Sequence, residues 1–181
     1  MFLGITSAGE TNYASPQRVI LLRHAEKPER KEDIHLSEQG ENRARRLVGF
    51  FDARLTINTN TPPAALIATR PTRGAPSLRT HATLAPLAEK LGLPIRQPFR
   101  SNEYASLARY ILNDPAFDGK TVIVCWTHDE LPALARALGA KPKPKSWKGA
   151  VFDRIWLIEF KTNKVVCKTV LQQLLPGDSK N

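Results

Sequence analysis

The sequence predicts an α/β protein built on a mostly parallel sheet with an antiparallel edge. Residues 19–22 and 121–126 are continuously apolar over strand length and stop abruptly at polar or charged residues, as strands buried on both faces do. Segments with apolar residues at helical spacing lie between such runs, so strand, helix and strand alternate, which implies right-handed crossovers and parallel pairing. Near the end, residues 154–160 and 164–171 are two strand-like runs joined only by Lys161-Thr162-Asn163, which predicts a hairpin.

The first strand ends at Arg23-His24, where open α/β sheets place their ligands. An imidazole there can attack phosphorus and a guanidinium can hold phosphoryl oxygens through paired hydrogen bonds; the alternative is an ordinary polar strand end. After a polar loop, residues 26–35, Ser37 is placed to cap a helix with Glu38 in its first turn. Ala44, Leu47, Val48, Phe51 and Leu55 form its buried stripe, and Arg43, Arg45 and Arg46 are expected on its solvated face. Residues 64–69 read as a second buried strand. Its following loop, residues 70–76, would share a rim with His24.

Ser77 is the expected cap of the next helix, with Leu78, Leu84, Leu87 and Leu91 buried and Gly92 just past its end. Arg79 stands in the first turn, where the helix dipole disfavours a cation but backbone N–H groups favour an anion, so the arginine is expected to have a use. A connector over 93–102 leads to a helix over 103–113, stopped at Asp114-Pro115. The strand over 121–126 then ends at Thr127-His128-Asp129-Glu130, before a helix that tolerates Pro132 in its first turn and closes at Gly139. His128 is either a second site histidine or a structural one, and Asp129 either a site residue or a helix cap. The basic, proline-broken loop over 141–148 either borders the pocket or is a solvated excursion.

With 181 residues, 41% of them hydrophobic and 24% charged, the chain is expected to form one soluble domain over 1–181 with a core that needs no disulfides. Residues 1–16 lack a basic, apolar signal pattern and are expected to be a loose leader, and 176–181 a frayed tail. No apolar run approaches a membrane span of about 20 residues. Cys125 and Cys167 are expected to be buried free thiols in a reducing, cytoplasmic setting, with a disulfide open only if their strands are neighbours. The net charge of +10 favours anionic partners: small phosphorylated substrates, phosphoproteins, and inorganic phosphate or sulfate in the pocket. Nucleic acid is disfavoured, because the sequence has no zinc-finger spacing, no aromatic RNP-like strand and no long basic helix with heptads.

Leu21-Leu22-Arg23-His24-Ala25-Glu26-Lys27, the Leu36-Ser37-Glu38-Gln39-Gly40 helix start, Arg79 with Thr83 four residues on, and Thr127-His128 before an apolar helix occur in the order and spacing of one family. Over residues 18–160 the chain resembles the histidine phosphatase superfamily, the phosphoglycerate mutase-like proteins. The resemblance implies a three-layer α/β/α sandwich. It makes His24 the nucleophile that becomes phosphohistidine, with Arg23, Arg79 and a protonated His128 around the phosphoryl group and no metal or other cofactor. For the general acid it points to Asp129, then Glu103, then Glu130. Arg70 and Arg73, with Arg100 and the lysine-rich loop, suggest a further anionic group on the substrate. The implied activity is phosphomonoester hydrolysis, since the compact chain has little room for the closing insertions of mutases. A phosphomutase, or a phosphate-binding regulatory domain of the same fold, is the alternative.

Overall fold

The two apolar runs that dominate the sequence lie side by side at the centre of one sheet. In the computed structural model, which describes residues 15–30 and 32–180, the chain forms β1 (Arg18–Arg23), α1 (Glu38–Leu55), β2 (Ala65–Ala68), α2 (Arg79–Leu91), β3 (Ile95–Arg96), α3 (Tyr104–Asn113), β4 (Thr121–Trp126), α4 (Leu131–Ala137), β5 (Arg154–Lys161) and β6 (Lys164–Leu171). The strand order is β3-β2-β4-β1-β5-β6. β3, β2, β4 and β1 are parallel neighbours, while β5 runs antiparallel to both β1 and β6, so the antiparallel pairing sits at one edge. The short β3 falls within the expected connector; a strand of two residues carries no periodicity to read.

The sheet separates two apolar layers. Ile20, Leu22, Leu66 and Ile123 face α1 and α2 through Leu47, Phe51, Leu84 and Leu87. Val19, Leu21, Ile67 and Val124 face α3 and α4 through Leu107, Ile111, Leu131 and Leu134. This is the three-layer arrangement, and it decides where a crevice opens. The helix after β1 covers one face and the helix after β4 the other, so the chain diverges at the carboxyl ends of these two adjacent strands. Such a divergence leaves a ligand crevice.

Several local expectations are met. The Ser37 hydroxyl accepts from the Gly40 amide at 3.1 Å as the α1 cap, and Gly92 and Gly139 close α2 and α4 with left-handed φ of 64° and 83°. Others are corrected. Arg43 is buried at 2% exposure rather than solvated, because it meets the carboxylates of Glu26 and Asp178. Leu78 is exposed because it is the cap residue that precedes α2, and Ser77 makes no cap bond into the helix beyond a 3.4 Å contact with the Arg79 amide.

The tail is tied down as far as Ser179 instead of frayed, while the expected leader lies outside the described residues except for 15 and 16. Cys125 is fully buried but Cys167 only half-buried; both are free, and β1 and β5 separate their strands. Among the described residues no helix is long and apolar enough to cross a membrane.

Gly40 is where α1 touches the loop that leaves β1. A Cβ there would lie 2.3 Å from the Glu26 carbonyl oxygen, whereas Gly49 in the same helix has nothing within 4 Å. Gly40→Ala is therefore expected to lower unfolding free energy by about 1–3 kcal/mol. Gly49→Ala should raise it by up to about 1 kcal/mol. Urea denaturation of both variants checks the pair; equal effects would contradict the close approach.

Candidate active site

β1 delivers Arg23 and His24 to the crevice, and the His24 amide extends the β1–β4 ladder by donating to the Trp126 carbonyl at 3.3 Å. Both side chains are nearly removed from water, at 2% and 6% exposure. Nδ1 of His24 lies 2.7 Å from the Ala25 carbonyl oxygen. A carbonyl only accepts, so Nδ1 carries the proton and Nε2 keeps its lone pair. Burial, together with the charges of Arg23, Arg79 and His128 and against the Ala25 hydrogen bond, pushes the His24 pKa down to about 4. The ring is thus a neutral base at pH 7.

Arg23 donates through one terminal nitrogen to the carbonyls of Gly149 and, at 3.3 Å, Val151. Its guanidinium stacks on the Phe152 ring with the central carbon 3.9 Å from the centroid. Its Nε is buried and has no hydrogen-bond partner among the described residues. Burial lowers its pKa to about 10, opposed by Asp129 and Glu26, and the group remains charged at pH 7.

Arg79, at the start of α2, donates to the Asp33 carbonyl and, at 3.0 Å, to the His35 carbonyl. Its helix is fastened to the segment after β1 by Thr83, whose hydroxyl accepts from the Ala25 amide at 2.9 Å and donates to the Arg79 carbonyl at 2.7 Å. A 2.7 Å hydroxyl contact between Thr69 and Thr80 fastens it to the end of β2.

His128, just past β4, has Nε2 3.0 Å from a carboxylate oxygen of the exposed Asp129. Burial and Arg23 lower its pKa, and Asp129 opposes them. The crevice therefore brings two guanidinium groups beside two imidazoles. Gly149 passes close by: a Cβ there would sit 3.2 Å from His128 Nε2.

Arg23, His24, Arg79, His128 and Asp129 thus come together. Glu130 directly precedes α4, and Glu103 lies apart, its carboxylate accepting from the Arg100 amide at 2.6 Å and facing Arg70 at 3.3 Å. Arg70 and Arg100 line a cavity of about 310 Å³ with Thr69, Ser77, Asn102 and Thr127. Thr127 directly follows β4, so the cavity adjoins the crevice. Arg73 is exposed in the turn over residues 72–75 and is not among the lining residues. The basic loop over 141–148 leads into the segment whose Gly149 and Val151 carbonyls meet Arg23. That segment and Phe152 were not expected at the site, since backbone carbonyls leave no mark in a sequence.

No family model and no curated protein matches the chain. Solved structures do resemble it. The native mycobacterial glucosyl-3-phosphoglycerate phosphatase superposes with a TM-score of 0.56 at 14% identity, over 86% of this chain and 97% of that one. The complex of that protein with inorganic phosphate gives 0.56 at 13% identity, over 86% and 96%. The α-ribazole phosphatase of Shigella flexneri gives 0.52 at 11% identity, over 90% and 99%. The chain has the fold of the histidine phosphatase superfamily, the phosphoglycerate mutase-like fold.

The depressed His24 pKa has a consequence for stability. An unfolded histidine takes up a proton near pH 6.5 and the native ring only near 4, so the unfolded state binds more protons between these values. Stability should be unaffected by His24 above pH 6.5 and should fall as the pH drops from 6.5 to 4. Melting temperatures of the native protein and His24→Gln across that range check this; the variant should lose part of the slope, and identical slopes would contradict the buried neutral ring.

Proposed function

We propose that the protein is a phosphomonoester hydrolase that acts through a phosphohistidine on His24, without metal. The observation that carries the reading is a buried, neutral His24 whose Nδ1–H is committed to the Ala25 carbonyl, within the field of Arg23 and Arg79. The fold it shares with phosphatases, one of them solved with inorganic phosphate, adds support.

His24 Nε2 attacks phosphorus, the N–P bond forms, and the bond to the leaving oxygen breaks in line with it. Asp129 passes a proton, supplied by the phosphomonoester monoanion, to that oxygen. Water then attacks the phosphoryl group as Asp129 takes one of its protons, the N–P bond breaks with its electron pair returning to Nε2, and Asp129 passes the proton to the departing phosphate, so that His24 and the Asp129 carboxylate are both restored. Arg23 and Arg79 stabilise the equatorial oxygens, where fixed cations in a site shielded from water act most strongly. His128 lies beside them, and the bound phosphoryl anion would raise its pKa and favour the charged, doubly donating ring. Asp129 is preferred as the acid because it touches His128, whereas Glu103 is engaged with Arg70 and Glu130 directly precedes α4.

The cavity beside the crevice would receive the leaving group. Its hydroxyl and amide lining and two guanidinium groups suit a leaving group bearing hydroxyls and a second anionic group. Chelator-resistant hydrolysis of an aryl phosphate by the native protein, lost by about a thousandfold or more in His24→Ala, is the expected result. Activity unchanged in that variant would overturn the mechanism. In the same assay, Arg70→Ala combined with Arg100→Ala should raise KM for a doubly anionic phosphomonoester more than for the aryl phosphate, and Arg73→Ala should change neither. Equal effects on both substrates would remove the leaving-group site.

A further inference from the structure

The buried charges that phosphoryl transfer does not use are gathered behind residues 149–153, the strap whose carbonyls and Phe152 ring hold Arg23. Arg43 is saturated: it bonds Glu26 through Nε and a terminal nitrogen, Asp178 at 2.7 and 2.9 Å, and Gln172 at 3.0 Å. Asp178 also accepts the amides of Leu174 and Leu175. Burial alone would lower the Arg43 pKa and raise that of Asp178, yet their mutual hydrogen bonds carry both the opposite way. Every nitrogen of the Arg43 guanidinium is hydrogen-bonded in this cluster, which makes it a lock.

The lock joins three pieces of chain that are distant in sequence. Glu26 stands two residues after His24, Arg43 is in the middle of α1, and Asp178 lies in the tail. The same tail grips the strap. Gln172, the residue after β6, donates its side-chain amide to the carbonyls of Phe152 and Arg154 and its backbone amide to the Asp153 carbonyl, while the Ser179 amide donates to the Asp153 carboxylate. Between strap and tail lies a cleft of about 380 Å³ bordered by Glu26, Arg43, Phe152, Asp153, Gly177 and Asp178. The other end of the strap is held separately by Trp147, which donates from Nε1 to the Val151 carbonyl at 2.8 Å and stacks edge-on against Trp156.

We propose that residues 172–179 are a brace that positions the 149–153 strap against Arg23, with the Glu26–Arg43–Asp178 cluster as its lock. Asp178 and Gln172 are then positioning residues: they touch no substrate and set how Arg23 is aimed. This inference rests on the reading of Arg23 as a phosphate ligand. The tail would thereby govern phosphate affinity from outside the crevice.

The test uses the full chain and Asp178→Asn, with Ser179→Pro as a second variant that removes the amide donated to Asp153 and constrains the backbone at Asp178. Amide hydrogen exchange of peptides covering 147–153 is read against peptides from α3 and α4, and inorganic phosphate is titrated by 31P NMR. Exchange should rise in the strap alone, with phosphate affinity and KM weakened about tenfold or more while α3 and α4 keep their protection. Strap exchange unchanged in both variants, or rising together with that of α3 and α4, would overturn the brace. If the native protein binds no phosphate, the phosphatase reading fails, and the exchange comparison still decides whether the tail positions the strap.

Discussion

Arg23 carries a full charge at a place with almost no water, and the rest of the site follows from that burial. Removing an ion from water costs several kcal/mol even after relaxation, so a buried guanidinium must find carbonyls, an aromatic face or an anion. The strap supplies the first two through Gly149, Val151 and Phe152. Among the described residues Nε has no partner, and it is a donor suited to an anionic oxygen. The same charge, with Arg79, helps hold His24 neutral, and a neutral imidazole is the form that can attack phosphorus.

Topology explains why these groups converge. β1 and β4 are adjacent and parallel, and their following helices leave toward opposite faces of the sheet. Residues one past each strand, His24 and Thr127, therefore border one crevice, with His128 next in line. Arg79 reaches the same place because β2 ends level with β4 and α2 begins a short loop later, fixed by the Thr69–Thr80 and Thr83–Ala25 bonds.

Much of this was legible in the sequence where the signal is local. Continuous apolar runs marked β1 and β4, Ser37 and Gly92 marked helix ends, and a histidine after each central strand marked the crevice. Long-range polar partnerships were not legible. An apolar stripe says nothing of an arginine that is buried because Asp178, 135 residues away, meets it, so Arg43 read as solvated and the tail as loose. Leu78 was placed inside because periodicity counts a leucine as core even when the helix starts one residue later. The strap lay in a stretch with neither period nor motif, and its contribution is largely made by backbone carbonyls.

The central claim is that Nε2 of His24 forms a bond to phosphorus, and trapping that bond tests it most directly. Full-length protein mixed with an aryl phosphate and quenched in alkali, where phosphoramidates survive, should yield a phosphorylated peptide containing residues 18–27. Its 31P signal should be that of the Nε2-phosphorylated ring, because Nδ1 is held by Ala25. Phosphate on Nδ1, on another residue, or on no residue during active turnover would contradict the account.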